Sequence, residues 1–149
     1  MSDNSLSELD RMMIEWTCTR LIYEFAQLND ASDFEPLAAL FTEDGVFARP
    51  TMPDKPMVGR ATILEQFRQR PARTLRHITA TPVITVESPT SARGVSYMVL
   101  YNGPPKAAGE IGGVKAEAQL VGTFHDRFVK VDGQWLFAER QGSLQHSAT

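Results

Sequence analysis

The chain has 149 residues, of which 42% are hydrophobic and 22% charged, with a formal net charge of −3. This length is typical of one domain, so we expect a single domain over residues 1–149 with a core from about 6 to 146. A nucleic-acid partner is not expected, because phosphate binding needs clustered Lys and Arg. No apolar run reaches membrane-spanning length and the first residues lack a signal-peptide pattern, so we expect a cytoplasmic protein without a membrane partner.

The first predicted element is one long helix over residues 6–29. An apolar stripe recurs at helical spacing through Ile14, Cys18, Leu21, Ile22 and Phe25. A second row, Met12, Trp16, Thr19, Tyr23 and Ala26, lies on an adjacent arc. An arc this wide predicts a helix enclosed by the rest of the domain. The single Cys18 excludes an internal disulfide and is expected to be a buried apolar residue.

Short elements follow between residues 33 and 71. The predicted order is a helix from Asp33 to about Leu40, a turn at 43–45, a strand at 46–48, a Pro-rich loop at 50–58 and a third helix from 59 that stops at Pro71.

The remainder is predicted to form four strands, at 76–87, 92–102, 116–131 and 134–145. Asp132-Gly133 between two apolar runs is typical of a tight hairpin. The strand at 92–102 has apolar residues on both faces, which predicts a central strand covered on both sides. The segment 103–114 contains four Gly and two Pro and is either a lid over a pocket mouth or a loose hairpin tip.

Helices first and strands afterwards favour an α+β fold over an alternating parallel one. We expect three helices and a cone-shaped, curved antiparallel sheet wrapped around the long N-terminal helix. A bent sheet leaves space that the helix cannot fill, which predicts an internal pocket.

Several segments resemble SnoaL-like polyketide cyclase domains. They are LIYEFA at 21–26, NDASDF at 29–34, ALFTEDGVF at 39–47, GRATI at 59–63, RH at 76–77, DRF at 126–128 and DGQW at 132–135. The similarity runs from about Leu6 to Arg140 and implies the nuclear transport factor 2-like fold. That scaffold is similar in scytalone dehydratase, bile acid 7α-dehydratase and ketosteroid isomerase, and also in non-catalytic subunits, so it implies no single reaction.

The resemblance implies a catalytic pair of Asp30 and His77, in which we expect Asp30 to be the base and His77 its partner or the acid. A carboxylate at the end of a buried helix and a neighbouring imidazole can exchange a proton at neutral pH. From the residues alone, Asp30 is equally a helix-terminal turn residue. Simple alternation puts His77 on the side of Thr79 and Thr81, opposite Ile78 and Ile84. Either that side faces the pocket, or a bulge redirects His77, or it is a surface histidine.

Other positions depart from those dehydratases. Phe25 stands where the bile acid dehydratase has a catalytic Tyr, Asn29 where scytalone dehydratase has a Tyr, and Asn102 near the second pocket His of that enzyme. The two Asn could act as amide donors. We expect these three residues, with the inward-facing Met98 and Leu100, to contact the substrate.

The remaining polar candidates are interpreted as structural. Asp126 is expected to form an ion pair with Arg140 across the hairpin. His125 is expected at the surface and His146 near the terminus, and three scattered histidines predict no metal site. No cofactor motif is present, and Ser143 lacks the pattern of a nucleophile elbow.

These features favour a cofactor-free lyase, isomerase or cyclase acting on a small hydrophobic, oxygenated ligand, which we expect to be aromatic or steroid-like. The alternative is a non-catalytic ligand-binding or assembly subunit, like the small subunits of ring-hydroxylating dioxygenases. A third possibility is an interaction domain that uses the face of Val95, Tyr97, Val99 and Tyr101. Because an exposed aromatic sheet face commonly meets a copy of itself, we expect a homodimer.

Overall fold

The computed structural model describes residues 5–148 and contains three helices and six strands. The helices are α1 (Glu8–Asp30), α2 (Phe34–Ala38) and α3 (Arg60–Arg68). The strands are β1 (Phe41–Ala48), β2 (Met57–Val58), β3 (Thr74–Ser88), β4 (Ser91–Gly103), β5 (Ala118–Val131) and β6 (Gln134–Ala148). The α+β class and the helix count agree with the sequence-based prediction.

The strands form one curved, unclosed sheet in the order β2-β1-β6-β5-β4-β3. The prediction of a purely antiparallel sheet is wrong at one point, because β1 runs parallel to β6. The two strands are far apart in the chain, and the long connection between them supplies the crossover that a parallel pair needs. The predicted turn at 43–45 belongs to β1, where the pairing with β6 shifts between Phe41 and Val46.

Helix α1 lies across the sheet, mainly against β3, and its predicted apolar stripe is buried. Ser7 caps its first turn by accepting a hydrogen bond from the Asp10 N–H at 3.0 Å. The prediction that the helix is enclosed around a wide arc is wrong for its first half, where Met12 and Trp16 are 58% and 56% exposed. The open sheet covers only one side of the helix there.

The β5–β6 hairpin turns at Asp132 and Gly133, as predicted, with φ of 49° and 81°. Both residues have positive φ, as a tight hairpin turn of this type requires. The prediction that the strand at 92–102 is covered on both sides is wrong for β4. Its inner face is buried at Met98, but Tyr97 on the outer face is 54% exposed, because nothing in residues 5–148 packs on that side.

The core lies between the inner face of the sheet and the helices, and it is rich in Phe. The centre of the Phe25 ring lies 5.3–6.3 Å from the centres of five other rings, those of Phe41, Phe47, Phe67, Phe124 and Phe137. Edge-to-face and tilted contacts at these distances add to the stabilisation from burial. Of the helices in residues 5–148, none has the length and apolar character needed to cross a bilayer.

Candidate functional site

A cavity of about 340 Å³ opens beside the end of α1. Its floor is apolar and its rim carries Asn and Arg side chains. The lining residues are Phe25, Asn29, Phe47, Arg49, Pro50, Thr51, Phe67, Arg70, Pro71, Arg73, Leu75, His77, Met98, Leu100, Asn102, Leu120 and Phe124. A larger groove of about 800 Å³ follows the first half of α1, but it lies apart from the Asp30–His77 pair.

Six of the seven residues predicted from sequence line this cavity: Phe25, Asn29, His77, Met98, Leu100 and Asn102. The seventh, Asp30, does not line it but lies directly behind His77. Their roles toward a substrate remain predictions. A single cavity brings together the imidazole of His77 and the amides of Asn29 and Asn102.

The Asp30 carboxylate holds His77 at two points. Oδ2 accepts a hydrogen bond from the His77 backbone N–H at 2.9 Å, and Oδ1 lies 2.5 Å from Nδ1. The two side chains are 11% and 12% exposed. An ionised carboxylate can only accept, so Nδ1 carries the hydrogen and Nε2 has a free lone pair.

A bulge in β3 explains why His77 faces inward. The pairing of β3 with β4 shifts between Ala80 and Val83, and Thr81 has φ of 50°. Before the bulge the odd-numbered Leu75 and His77 face the core, and after it the even-numbered Ile84 and Val86 do. Pro82 favours the irregularity because it cannot donate a ladder hydrogen bond, and β3 is an edge strand. Of the three alternatives for His77, the second, a bulge that changes which residues face inward, is therefore the observed one.

The two amides are each fixed by an arginine. Asn29 is 6% exposed and its Oδ1 accepts from Arg70 Nη1 at 2.5 Å. The Asn102 Oδ1 accepts from Arg73 Nε at 2.9 Å. Because each amide oxygen accepts a hydrogen bond from an arginine, the NH₂ group of each amide is available to donate to a ligand.

Three arginines at the rim are functional candidates that the sequence did not single out. Arg49 follows β1, while Arg70 and Arg73 flank Pro71 between α3 and β3. Charged residues at the ends of elements are normally solvated, so nothing in their local pattern distinguishes them. The one available signal was the density of Arg between 68 and 76, next to the His77 segment.

The predicted Asp126–Arg140 ion pair is present and fully buried. Arg140 Nη1 donates to Asp126 Oδ2 at 2.6 Å, and the guanidinium carbon lies 3.8 Å from the centre of the Phe124 ring. Burial raises the pKa of Asp126 to about 6, and the Arg140 charge opposes that rise. Cys18 is also buried, as predicted, which raises its pKa to about 12.

His125 and His146 are exposed, in agreement with the surface positions expected for them. In residues 5–148 no three His, Cys, Asp or Glu side chains come together in a way that could hold a metal ion. No residue of the loop at 104–117 lines the cavity. Of the two alternatives for this segment, the lid over the pocket mouth therefore has no supporting contact with the cavity.

The comparisons with solved structures show the fold. A candidate scytalone dehydratase from Novosphingobium aromaticivorans superposes with a TM-score of 0.81 at 23% identity, covering 95% of this chain and 91% of that one. A type 2 hexachlorocyclohexane dehydrochlorinase gives 0.79 at 14% identity, with 95% and 92% covered. A protein of unknown function from Mycobacterium tuberculosis gives 0.72 at 26% identity, with 95% and 78% covered.

Among curated proteins, none matches the chain significantly. The family model for the SnoaL-like domain matches residues 11–141. This span includes α1 from residue 11 onwards, both members of the Asp30–His77 pair and the first half of β6. The chain therefore belongs to the family of SnoaL-like domain proteins.

Proposed function

We propose that this protein is a cofactor-free lyase, isomerase or cyclase that moves a proton on a small, mostly apolar, oxygenated ligand. The observation that carries the proposal is the Asp30–His77 pair, whose imidazole lines the cavity while its carboxylate lies behind. The roles differ from the sequence-based expectation that Asp30 is the base. In the proposed arrangement Nε2 of His77 is the base, and Asp30 orients the ring and stabilises the imidazolium.

The proposed step begins when Nε2 removes a proton from a carbon next to a carbonyl. The electron pair of the broken C–H bond forms an enolate, whose oxygen receives hydrogen bonds from the NH₂ of Asn29 or Asn102. The enolate then collapses in one of three ways. It expels a hydroxyl that leaves as water with the proton from His77, it takes that proton back on another carbon, or its carbon attacks a second carbonyl, whose oxygen becomes an alkoxide and takes that proton.

The apolar floor supports the choice of ligand. Phe25, Met98 and Leu100 line the same cavity as His77 and offer it apolar surface. A volume of about 340 Å³ lies at the small end of the range for ligand pockets, which is about 300–1,000 Å³. The alternative, an assembly subunit without catalysis, has no need of an open cavity.

Proton abstraction is common to all three reactions, so the test follows that step. Hydrogen–deuterium exchange next to the carbonyl of small cyclic and aromatic ketones, hydroxyketones and keto acids would be measured in D₂O by NMR. We expect exchange with the wild-type protein, a loss of at least about 10²-fold in His77→Gln, and no change in His125→Gln, the exposed control. Exchange that persists in His77→Gln would contradict the proposal, and no exchange with any compound would favour the assembly subunit.

We also propose that the protein forms a homodimer through the outer face of the sheet. Tyr97 is 54% exposed there, beside Ile78 and Val83 on β3. Light scattering of the wild type and of Tyr97→Glu tests this: a dimer that becomes monomeric in the variant supports the proposal, and a wild-type monomer at 100 μM contradicts it.

A further inference from the structure

The rim of the cavity carries positive charge without a matching negative charge. Arg49, Arg70 and Arg73 line it, while none of its lining side chains in the described part of the chain is Asp or Glu. Arg73 is compensated, because its Nη2 lies 3.4 Å from Glu117 Oε2. The Arg70 side chain is held by the neutral Asn29 amide. Arg49 has no ion-pair partner among residues 5–148.

Arg49 and Arg70 both lie against the Phe67 ring and act electrostatically on one another. The guanidinium carbons of Arg49 and Arg70 are 5.4 Å and 5.5 Å from the centre of the Phe67 ring. Burial lowers the pKa of Arg70 and the neighbouring charge of Arg49 lowers it further, while the charge of Asp30 opposes these two effects. Two guanidinium groups that repel each other in a half-buried cavity form an arrangement that an anion would stabilise.

Arg49 also has an unused donor. Its Nη2 is buried and has no hydrogen-bond partner in residues 5–148. Leaving a buried charged donor unsatisfied costs free energy that a bound acceptor would recover. A planar guanidinium stacked on a ring presents its N–H groups at its edge, where a carboxylate can accept two parallel hydrogen bonds.

We propose that the ligand of this cavity is an organic acid, whose carboxylate binds between Arg49 and Arg70 and whose apolar body lies on the Phe25, Met98 and Leu100 side. The inference that the reacting carbon then faces Nε2 of His77 rests on the proposed function. The carboxylate site does not, because it depends only on the two arginines.

The distribution of charge separates the two ends of such a ligand. Two carboxylates lie near the cavity: Asp30 contacts His77 and lies 3.9 Å from Arg76 Nε, and Glu117 lies 3.4 Å from Arg73 Nη2. Neither lines the cavity, so an anion between Arg49 and Arg70 meets no like charge on the lining. A neutral ligand of the same shape would leave both guanidinium groups uncompensated.

The test compares acids with their primary amides by isothermal titration calorimetry. Suitable pairs are cyclohexaneacetate, 1-naphthylacetate and indole-3-acetate, each with the corresponding acetamide. These pairs match in shape and apolar area and differ in charge. We expect at least one acid to bind at least 10-fold more tightly than its amide, and that preference to weaken as salt is raised.

Four variants assign the preference to its residues. Arg49→Gln is expected to remove most of the acid preference, and Arg49→Lys, which keeps the charge but not the fork, to retain part of it. Arg68→Gln is the control, because Arg68 lies at the end of α3, pairs with Glu35 and does not line the cavity. This variant is expected to behave as wild type. His77→Gln is expected to keep the preference.

The outcomes distinguish the two proposals. Equal affinity for acids and amides, an unchanged preference in Arg49→Gln, or no acid binding below 10 mM would overturn the carboxylate site. Acid binding that survives in His77→Gln, with no proton exchange in any compound, would leave the carboxylate site standing and overturn the proposed catalysis. Proton exchange confined to neutral ketones would support the proposed catalysis and overturn the carboxylate site.

Discussion

Asp30 and His77 are joined through both the backbone and the side chain of the histidine, although 47 positions separate them. The backbone contact fixes where β3 passes the end of α1, and the side-chain contact fixes the orientation of the imidazole. One carboxylate thus determines both the position and the tautomer of the group that lines the cavity. In metal-free proton transfer, this combination leaves Nε2 as the only ring nitrogen able to accept a proton.

The first prediction concerns Asp30→Asn. An amide can donate to Nδ1, which would move the ring hydrogen to Nε2 and remove the base while keeping the fold. We expect the proton-exchange rate to fall by about 10²-fold or more, with little change in the affinity for the ligand. Asp33→Asn is the control, because Asp33 is exposed and its side chain caps nothing in α2. Full exchange activity in Asp30→Asn would show that the carboxylate does not orient the base.

The second prediction concerns the buried ion pair. Asp126→Leu would leave the Arg140 guanidinium, enclosed by Phe25, Phe124 and Phe137, without the side-chain oxygen that accepts its hydrogen bond. Removing one partner of a buried pair costs about 3–5 kcal/mol of unfolding free energy. Urea unfolding measures this. Glu139→Gln, which removes the surface partner of Arg127, should change the stability by less than about 1 kcal/mol, and similar losses in the two variants would contradict the prediction.

The third prediction is a pH dependence of stability that passes through Asp126. The pKa of its carboxyl is about 6 in the folded protein and 3.8 in its ordinary state, so between these values the folded chain binds the proton more tightly. The contribution of this group to the unfolding free energy is therefore largest near pH 4, falls as the pH rises to 6, and is constant above that.

Other carboxyl groups titrate in the same range, so the measurement is the difference between wild type and Asp126→Asn in urea at pH 4, 5, 6 and 7. We expect the unfolding free energy of the wild type, relative to that of Asp126→Asn, to fall as the pH rises from 4 to 6. A relative stability that rises with pH would mean that the Arg140 charge outweighs burial and that the pKa of Asp126 is lowered.

The fourth prediction uses the single cysteine as a reporter. Burial, and secondarily the charge of Asp126, raise the pKa of Cys18 to about 12, and its side chain is inaccessible. At pH 8 we expect Ellman's reagent to react with the thiol only when the protein unfolds, so that labelling accelerates in parallel with urea unfolding. A Ser147→Cys variant in a Cys18→Ala background should react at once, because Ser147 is exposed. Rapid labelling of native Cys18 would contradict its burial.

The sequence predicts the positions of the helices and strands better than the directions in which their side chains point. The apolar stripe of α1, the Asp132-Gly133 hairpin and the Asp126–Arg140 pair follow from local pattern, and the Asp30–His77 pair from family resemblance. Alternation along β3 could not decide the direction of His77, because a bulge inserted at Thr81 reverses the parity that Ile84 establishes. Likewise, the parallel pairing of β1 with β6 and the convergence of Arg49 and Arg70 join segments that are distant in sequence, and no local pattern records such contacts.

The last prediction concerns that bulge. Thr81 has φ of 50°, a left-handed conformation that is strained for a β-branched residue and tolerated by Asn. Thr81→Asn should therefore raise the unfolding free energy by about 1 kcal/mol, whereas Thr79→Asn, in the regular part of β3, should lower it because Asn is disfavoured in strands. The substitution lowers the backbone strain at position 81 without changing the backbone conformation. The ring of His77 should therefore keep its orientation, and acid binding should be unchanged in Thr81→Asn. If both substitutions destabilise equally, the change from odd-numbered to even-numbered inward residues in β3 does not occur at Thr81. A different irregularity must then direct His77 into the cavity.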